Sequence, residues 1–293
     1  MRVVHMLNWN LNDIKNNLGR IKDQGFDTIQ INPIQPLKEE STENWWMSYQ
    51  PISFEIGNIY GSKKDLYDLC YEASKYGITI VADVICNHMA GNNNGSLYPA
   101  QNVDYKLREN PYFWKEASQI TDWKDRKQVI SKCMGLPGLQ TSNYDLQNII
   151  IKFLNELIDT GVNGFRFDAA KNIALTNEGC DFWPRVIYCL KKYNLILYGE
   201  LIFASDLIDE YTKYLKVVTN NDYHDKDKII RYAESHDSFY DLSYTRQFSD
   251  LEIAYQYRDL CGCYPNTLFF TRPYSDAWKD SSVRQGNYQR IKK

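Results

Sequence analysis

Short apolar runs rich in β-branched residues alternate along the chain with longer stretches in which apolar residues recur every three or four positions. The run Ile78–Ile85 is almost continuously apolar, which is typical of a parallel strand buried on both faces. The preceding stretch, Lys63–Tyr76, gathers its apolar residues on one helical face. These residues are Leu66, Leu69, Cys70 and Ala73. The alternation predicts repeated strand–helix units.

The same pattern predicts eight strands, most of them separated by helices. The strands are Arg2–Leu7, Thr28–Asn32, Ile78–Ile85, Gly164–Phe167, Leu195–Glu200, Leu215–Thr219, Ile229–Ala233 and Thr267–Thr271. The helices are Leu11–Asp23, Lys63–Tyr76, Leu146–Thr160, Phe182–Lys192, Leu207–Lys213 and Asp250–Leu260. This order favours an α/β fold of the (β/α)8 type, a TIM barrel, over an open doubly wound sheet.

One connection is too short for this pattern. Nine residues separate Thr219 from Ile229, whereas a parallel crossover with its helix needs about 10–12 residues or more. Either the barrel lacks one outer helix or one strand is misplaced, and we favour the missing helix.

A polar and aromatic stretch interrupts the alternation after the third strand. From Cys86 to about Ser142 no period is sustained, and this excursion of more than 50 residues is longer than an ordinary loop. We therefore predict a barrel formed by residues 1–85 and 143–293, with residues 86–142 inserted between its two parts.

Composition narrows the choice of partners. The formal net charge is −3 and the pI is about 5.9, so no basic field indicates a nucleic acid or an anionic membrane surface. The sequence contains no run of about 18 or more apolar residues, so it predicts no membrane-spanning helix. The 23 Tyr, 12 Phe and 7 Trp residues suit either stacking on sugar rings or ordinary half-buried positions.

The cysteines and the first residues bear on the cellular compartment. Seven cysteines at scattered spacings do not resemble a disulfide framework. The first residues contain one basic side chain and no long apolar stretch, so they do not read as a signal peptide. We expect a cytoplasmic monomer, or a secreted protein if a leader has been removed.

Acidic residues recur at the carboxyl ends of the predicted strands, namely Asp83, Asp168, Glu200 and Asp237. A single Asp after a strand is more often a helix cap than a catalyst. Here two of the acids have a histidine nearby, and Asp168 follows Arg166 by two residues. Because strand ends converge on one face of a barrel, we expect these acids to share a site.

Four segments around these acids resemble the signature segments of the α-amylase family of glycoside hydrolases, in the family's order. They are Asp83–His88 (DVICNH), Gly164–Lys171 (GFRFDAAK), Tyr198–Ile202 (YGELI) and Glu234–Asp237 (ESHD). Flanking stretches at Tyr49–Pro51, Ile56–Asn58 and Leu268–Pro273 extend the resemblance over almost the whole chain. The chain looks most similar to bacterial α-amylases.

The resemblance implies that Asp168 is the nucleophile, Glu200 the acid/base and Asp237 a stabiliser of the transition state. A retaining glycosidase needs the first two carboxyl groups about 5–5.5 Å apart. Arg166, on the same strand face as Asp168, would keep that nucleophile ionised, and Asp83 would orient Arg166. The apolar residues before Glu200 would raise its pKa and so keep it protonated.

The resemblance also implies a set of substrate-binding residues. These are Trp46, Tyr49, Gln50, His88, Arg166, Lys171 and His236. Tyr49 corresponds to an aromatic that stacks on the sugar at the cleavage site, and the two histidines would donate hydrogen bonds to the same sugar. Lys171 would contact the next sugar. The alternatives are rim or core packing for residues 46–50 and a solvated helix charge for Lys171.

Many relatives hold a structural Ca²⁺ between the excursion and the barrel. Asn87 matches a side-chain ligand of that ion, but Gly138 stands where an Asp is usual. Asn172 stands where many relatives have a His that offers its backbone carbonyl. A missing carboxylate weakens a hard-cation site, so we expect no required cofactor and leave open a calcium ion bound through Asn87.

The expected function is hydrolysis of α-1,4-glucosidic bonds in starch-like polysaccharides or maltooligosaccharides by a retaining mechanism. Glycosyl transfer between α-glucans, or action on α-1,6 bonds or short oligosaccharides, stays open. A non-catalytic glycan-binding member is the alternative from another class. The missing helix, the missing calcium carboxylate and the lack of room for the family's β domain after Thr271 favour that alternative, whereas the complete set of three acids opposes it.

Overall fold

Eight parallel strands close into a barrel in the computed structural model of the chain. The structure describes residues 1–41, 44–93, 95–201, 204–237 and 250–270, and it leaves out the side chains of residues 205 and 250–254. The barrel strands are β1 (Arg2–Met6), β2 (Thr28–Ile31), β5 (Thr79–Val84), β6 (Gly164–Phe167), β7 (Ile196–Glu200), β8 (Lys216–Thr219), β9 (Ile229–Arg231) and β10 (Thr267–Phe270). They follow one another around the barrel in chain order. The predicted (β/α)8 barrel is therefore confirmed. Between β2 and β5, β3 (Gly57–Asn58) and β4 (Gly61–Ser62) form a small antiparallel hairpin.

The register of three neighbouring strands brings the first signature residues together. Asp83 on β5 pairs with Arg166 on β6, and Arg166 pairs with Tyr198 on β7. Side chains alternate along a strand, so Arg166 and Asp168 face the same side. Tyr198 belongs to the apolar cluster inside the barrel, which also includes Val3, Val81 and Ile230. The predicted site thus lies directly on the packed barrel interior.

Helices lie outside the barrel strands, and two short ones belong to the segment that follows β5. They are α1 (Leu11–Asn16), α2 (Leu18–Asp23), α3 (Lys63–Lys75), α4 (Tyr105–Arg108), α5 (Arg126–Ser131), α6 (Tyr144–Asp159), α7 (Phe182–Tyr188), α8 (Ile208–Tyr211) and α9 (Asp250–Cys263). Helix α3 begins with a capping box, in which Ser62 and Asp65 bond to each other's backbone N–H groups. Its predicted apolar face is buried. Within the described residues, no helix has the length and apolar character needed to cross a bilayer.

The first predicted helix, Leu11–Asp23, is broken into α1 and α2 at Asn17. The Asn17 side-chain amide donates to the backbone carbonyl of Asp13 at 2.8 Å. Asparagine side chains compete in this way with the helical backbone pattern. The prediction of one continuous helix was wrong for this reason.

Helix α7 ends at Tyr188, short of the predicted end at Lys192. Asn155 of α6 donates to the Cys189 carbonyl at 3.1 Å and accepts from the Lys191 backbone N–H at 2.7 Å. These two bonds hold the chain in a turn, because they replace the bonds that a further helical turn would make.

The connection from β8 to β9 contains no α-helix. Residues 220–228 are all described, and the only helical piece among them is a short 3-10 turn at Lys226–Lys228. The Asn266 side chain donates to the carbonyls of Asp227 and Ile229 at 3.1 and 3.2 Å and so fastens this connection to the loop before β10. The prediction of a missing outer helix is confirmed.

The segment between β5 and α6 is mostly irregular but is packed into the same core as the barrel. It contains α4, α5 and a 3-10 turn at Pro111–Phe113. Leu107, Phe113 and Leu139 are buried in the cluster that also holds the barrel's outer face. An isolated bridge joins His88 to Gly138. The end of the segment therefore lies against its beginning, beside the end of β5.

Candidate active site

A single guanidinium group connects three of the predicted acids. Nη1 of Arg166 donates to both carboxylate oxygens of Asp83 at 2.9 Å and to Oδ1 of Asp168 at 2.7 Å. Nη2 of the same residue donates to Oε1 of Glu200 at 2.5 Å. Arg166 is only 4% exposed, so these bonds form largely out of water, where charge-assisted hydrogen bonds are strong. The arginine therefore fixes Asp168 and Glu200 relative to each other.

The backbone after β6 donates a further hydrogen bond to the Glu200 carboxyl group. Ala169 adopts a left-handed conformation with φ 47° and ψ 38°, which costs a residue other than glycine about 1–2 kcal/mol. In this conformation its N–H donates to Oε2 of Glu200 at 3.3 Å. Strand β7 approaches closely here, because a Cβ added at Gly199 would lie 2.8 Å from the Cβ of Ala170. Small residues on both segments thus let the two acid-bearing chains meet.

Asp237 lies near Glu200 through its position after β9. One side-chain ligand atom each from Glu200, His236 and Asp237 lie within 4.8 Å of one another. Nε2 of His236 is 3.4 Å from Oδ2 of Asp237. The three predicted catalytic carboxyl groups, on Asp168, Glu200 and Asp237, are therefore brought together on the carboxyl ends of three strands.

Burial governs the protonation of this cluster. It raises the pKa of Glu200 to about 7; Arg166 opposes that rise, and the charges of Asp237 and Asp168 add to it. Burial also raises the pKa of Asp237, again with Arg166 opposing. Burial together with Arg166 lowers the pKa of His236 to about 4. At neutral pH, His236 is therefore an uncharged imidazole, and Glu200 is protonated in a substantial fraction of molecules.

Tyr49 closes one side of the cluster. Its hydroxyl donates to Oδ2 of Asp83 at 3.0 Å, and its ring stacks on His236 with centroids 5.2 Å apart and an angle of 7°. Nε2 of His88 lies 3.0 Å from the Tyr49 carbonyl oxygen. Burial lowers the pKa of His88. Tyr49, His88 and His236 are thus brought together, while their contacts with a sugar stay predictions.

Lys171 lies at the border between the barrel and the excursion. Its Nζ is 4.7 Å from the ring centroid of Trp123, which belongs to the excursion and is 49% exposed. Burial lowers the pKa of Lys171, and the charges of Glu200 and Asp237 raise it. The electrostatic coupling places the Lys171 ammonium within the field of the acid cluster, with an exposed aromatic ring beside it.

Asn87 lies beside the cluster, where its side chain meets a lysine. Its Oδ1 accepts from Nζ of Lys115 at 3.0 Å, and the same ammonium group donates to the backbone carbonyl of Asn172 at 3.0 Å. Burial lowers the pKa of Lys115 to about 8, which leaves it protonated at neutral pH. The sequence pattern does not single out Lys115, because it lies in the stretch without a period.

Similarity to known proteins agrees with the geometry. The sequence profile of the family described as "Alpha amylase, catalytic domain" matches residues 9–259. The chain belongs to the α-amylase family. An α-amylase of Clostridium acetobutylicum is 33% identical over 325 aligned positions, which cover 96% of this chain and 42% of that protein. An α-amylase-related protein of Drosophila teissieri is 32% identical over 183 residues, which cover 59% of this chain and 37% of that protein. The chain thus spans less than half the length of either relative.

Solved structures show the same fold. The α-amylase I of Eisenia fetida superposes with a TM-score of 0.77 at 19% identity, over 93% of this chain and 66% of that one. The Geobacillus thermoleovorans α-amylase complexed with acarbose superposes with a TM-score of 0.74 at 16% identity, over 100% of this chain and 78% of that one. The barrel is therefore that of the α-amylases.

Two aromatic neighbours of the site in this α-amylase-family chain do not follow from the signature segments. The Trp45 ring lies 4.9 Å from the His236 ring and 5.9 Å from the Tyr49 ring, and His5 lies 5.3 Å from His236. Trp46, which the resemblance indicates, is half-buried on the same 3-10 turn, and Gln50 is half-buried at its end. No spacing identifies Trp45, because residues three apart share a face in a 3-10 turn, and that rule favours Trp46 as the partner of Tyr49.

Proposed function

We propose that this chain cleaves α-1,4-glucosidic bonds of starch-like polysaccharides or maltooligosaccharides with retention of anomeric configuration. The observation that carries the proposal is the Arg166 guanidinium, which bonds to both Asp168 and Glu200. Retaining glycosidases use two such carboxyl groups, one as a nucleophile and one as an acid and then a base. The α-amylase named among the relatives supports an α-glucan as the substrate.

In the first step, Asp168 attacks the anomeric carbon while Glu200 protonates the departing glycosidic oxygen. The attack forms a glycosyl ester on Asp168 and breaks the bond to the leaving sugar. Arg166 supports this role of Asp168, because its 2.7 Å hydrogen bond orients the carboxylate and stabilises its charge before the attack. Glu200 supports its own role through a pKa of about 7, since a general acid works best when its pKa is near the working pH.

The second step reverses the task of Glu200. Once Asp168 is esterified, it no longer carries the negative charge that helps to raise the pKa of Glu200. The loss of that charge lowers the pKa, so Glu200 can take a proton from the water that hydrolyses the ester. The same coupling thus favours an acid before the glycosyl ester forms and a base afterwards.

Asp237 and His236 act on the sugar rather than on the bond. An oxocarbenium-like transition state develops positive charge on the ring, and hydrogen bonds to hydroxyl groups strengthen as it forms. Asp237 supplies a carboxyl group within 4.8 Å of Glu200. An uncharged His236 beside it supplies a donor without adding a positive charge close to the oxocarbenium ion.

Release of reducing sugar from maltoheptaose and soluble starch tests this proposal. We expect turnover by the wild-type chain and a loss of at least about a hundredfold in Asp168→Asn and in Glu200→Gln. Glu72→Gln on the outer helix α3 is the matched control, because Glu72 pairs with the exposed Lys75 at the surface, and such a pair contributes little to stability. Binding of maltoheptaose without any release would contradict the hydrolase and favour a glycan-binding protein. Longer oligosaccharides among the products would favour glycosyl transfer.

A further inference from the structure

The Lys115 side chain lies where the resemblance predicts calcium ligands to converge. Lys115 is only 7% exposed, and its Nζ donates to Asn87 Oδ1 and to the Asn172 carbonyl, both at 3.0 Å. Its backbone N–H donates to the Gly138 carbonyl at 2.8 Å. The resemblance implies that many relatives supply calcium ligands from the positions of Asn87, Gly138 and Asn172.

These residues do not fit a calcium ion. Ca²⁺ takes 6–8 oxygen ligands and favours carboxylates, whereas the oxygens bonded to the Lys115 ammonium group are an amide oxygen and a backbone carbonyl oxygen. Within the described part of the chain, the one group of three or more His, Cys, Asp or Glu side chains close enough to hold an ion is the catalytic Glu200, His236 and Asp237.

The space at Gly138 explains why the usual carboxylate is missing. A Cβ added at Gly138 would lie 2.8 Å from Cδ of Lys115 and 3.3 Å from its Cγ. Real Cβ atoms do not approach other atoms at the shorter distance, so an Asp at position 138 would require the Lys115 side chain to move from its present position. The glycine therefore leaves the space that the buried Lys115 side chain fills.

We propose that the Lys115 ammonium group takes the place of the structural calcium ion, so that this chain holds its excursion against the barrel without a bound divalent cation. An ammonium group offers one positive charge and three donors on a fixed stem. It needs only neutral oxygens around it, and Asn87 and Asn172 supply these. Because it is covalently attached, it is present at every calcium concentration.

A second cation from the excursion strengthens the same junction. Arg126 donates to the carbonyl of Lys171, next to Asn172, and pairs with both carboxylate oxygens of Glu178 at 2.6 and 2.8 Å. The two side chains thus hold consecutive carbonyls of the turn that follows Asp168.

Thermal melting of the wild-type chain tests the proposal without any turnover. We expect the melting temperature in millimolar CaCl2 and in excess EDTA to agree within about 1 °C, because a ligand stabilises only when it binds the native state. Elemental analysis after dialysis should find no stoichiometric calcium. A calcium-dependent rise of several degrees, or one equivalent of retained calcium, would overturn the proposal. Neither readout depends on the proposed hydrolase function.

Variants test whether Lys115 itself holds the ion's place. Lys115→Met keeps the stem but removes the donors, and we expect its melting temperature to fall by about 3–8 °C. Lys106→Met, at an exposed lysine of the same excursion, should leave the temperature unchanged. A Lys115→Met variant as stable as Lys106→Met would contradict the proposal.

Restoring the carboxylate gives a test that does not depend on loss of stability. The double variant Lys115→Ala, Gly138→Asp removes the ammonium group and places a carboxylate in the vacated space. We expect calcium to raise its melting temperature by several degrees, while the wild-type chain does not respond. A double variant that folds and ignores calcium would contradict the assignment of this place to a cation. Should it fail to fold, the wild-type calcium comparison decides the question.

Discussion

Replacing Arg166 by methionine tests the electrostatic core of the site. The substitution removes four hydrogen bonds, two to Asp83 and one each to Asp168 and Glu200. It leaves three carboxyl groups close together in a buried place without their shared counter-charge. Breaking a buried ion pair from one side costs about 3–5 kcal/mol. We expect a loss of that order in the free energy of unfolding, with a fall in melting temperature on the order of 10 °C.

The loss should depend on pH in a definite direction. Burial already raises the pKa values of Asp83 and Glu200 to about 7 in the wild-type chain, with Arg166 opposing the rise, so both values rise further when Arg166 is removed. Such groups destabilise the native state at high pH, and the destabilisation fades as pH falls through the raised pKa values. The difference between Arg166→Met and the wild-type chain should therefore grow as pH rises above about 7, where Asp83 and Glu200 of the wild-type chain ionise and those of the variant do not, and it should level off below that pH.

Urea unfolding at several pH values measures this difference. Arg258→Met is the control, because Arg258 is 48% exposed and its contacts within the described residues are an ion pair with the exposed Asp259 and the exposed Tyr255 ring; it should change stability by less than about 1 kcal/mol. The reasoning would be refuted if Arg166→Met cost no more than this control, or if its cost stayed constant with pH.

Three further predictions concern the site. The pH profile of kcat/KM should lose activity above about pH 7 on its basic side, because deprotonation of Glu200 removes the general acid; a limb unchanged in Glu200→Gln would contradict this. Gly199→Ala should cost about 1–3 kcal/mol of stability in urea unfolding and lower kcat, because its Cβ meets Ala170 at 2.8 Å. Trp45→Ala should reduce kcat/KM for maltoheptaose more than Trp46→Ala, since Trp45 packs on the site's histidine; equal effects would show that this contact is irrelevant.

The sequence predicts the barrel well because the relevant signals are local. Apolar runs mark strands that are buried on both faces, and strand ends in a barrel share one face. The gathering of Asp168, Glu200 and Asp237 follows from these two facts. The bond between Arg166 and Glu200 does not follow, because it depends on the lateral register of β6 and β7. No local pattern encodes that register.

The contacts of Lys115 in the excursion could not be predicted either, because they also join residues that are far apart in the sequence. Lys115 bonds to Asn87, 28 residues away, and to Asn172, 57 residues away. No periodicity in the sequence signals either contact, and a lysine in an irregular polar stretch is expected to be a solvated charge. The glycine at position 138 was visible as a departure from the family. Only the structure shows that the Lys115 side chain occupies the space beside Gly138.

The anomeric form of the first product tests the central claim most directly. Proton NMR of maltoheptaose hydrolysis, recorded before mutarotation equilibrates the sugars, distinguishes α- from β-configured reducing ends. We predict that α-anomers appear first, because attack by Asp168 followed by attack of water inverts the anomeric centre twice. Initial formation of β-anomers would contradict the nucleophilic role of Asp168 and with it the proposed double displacement.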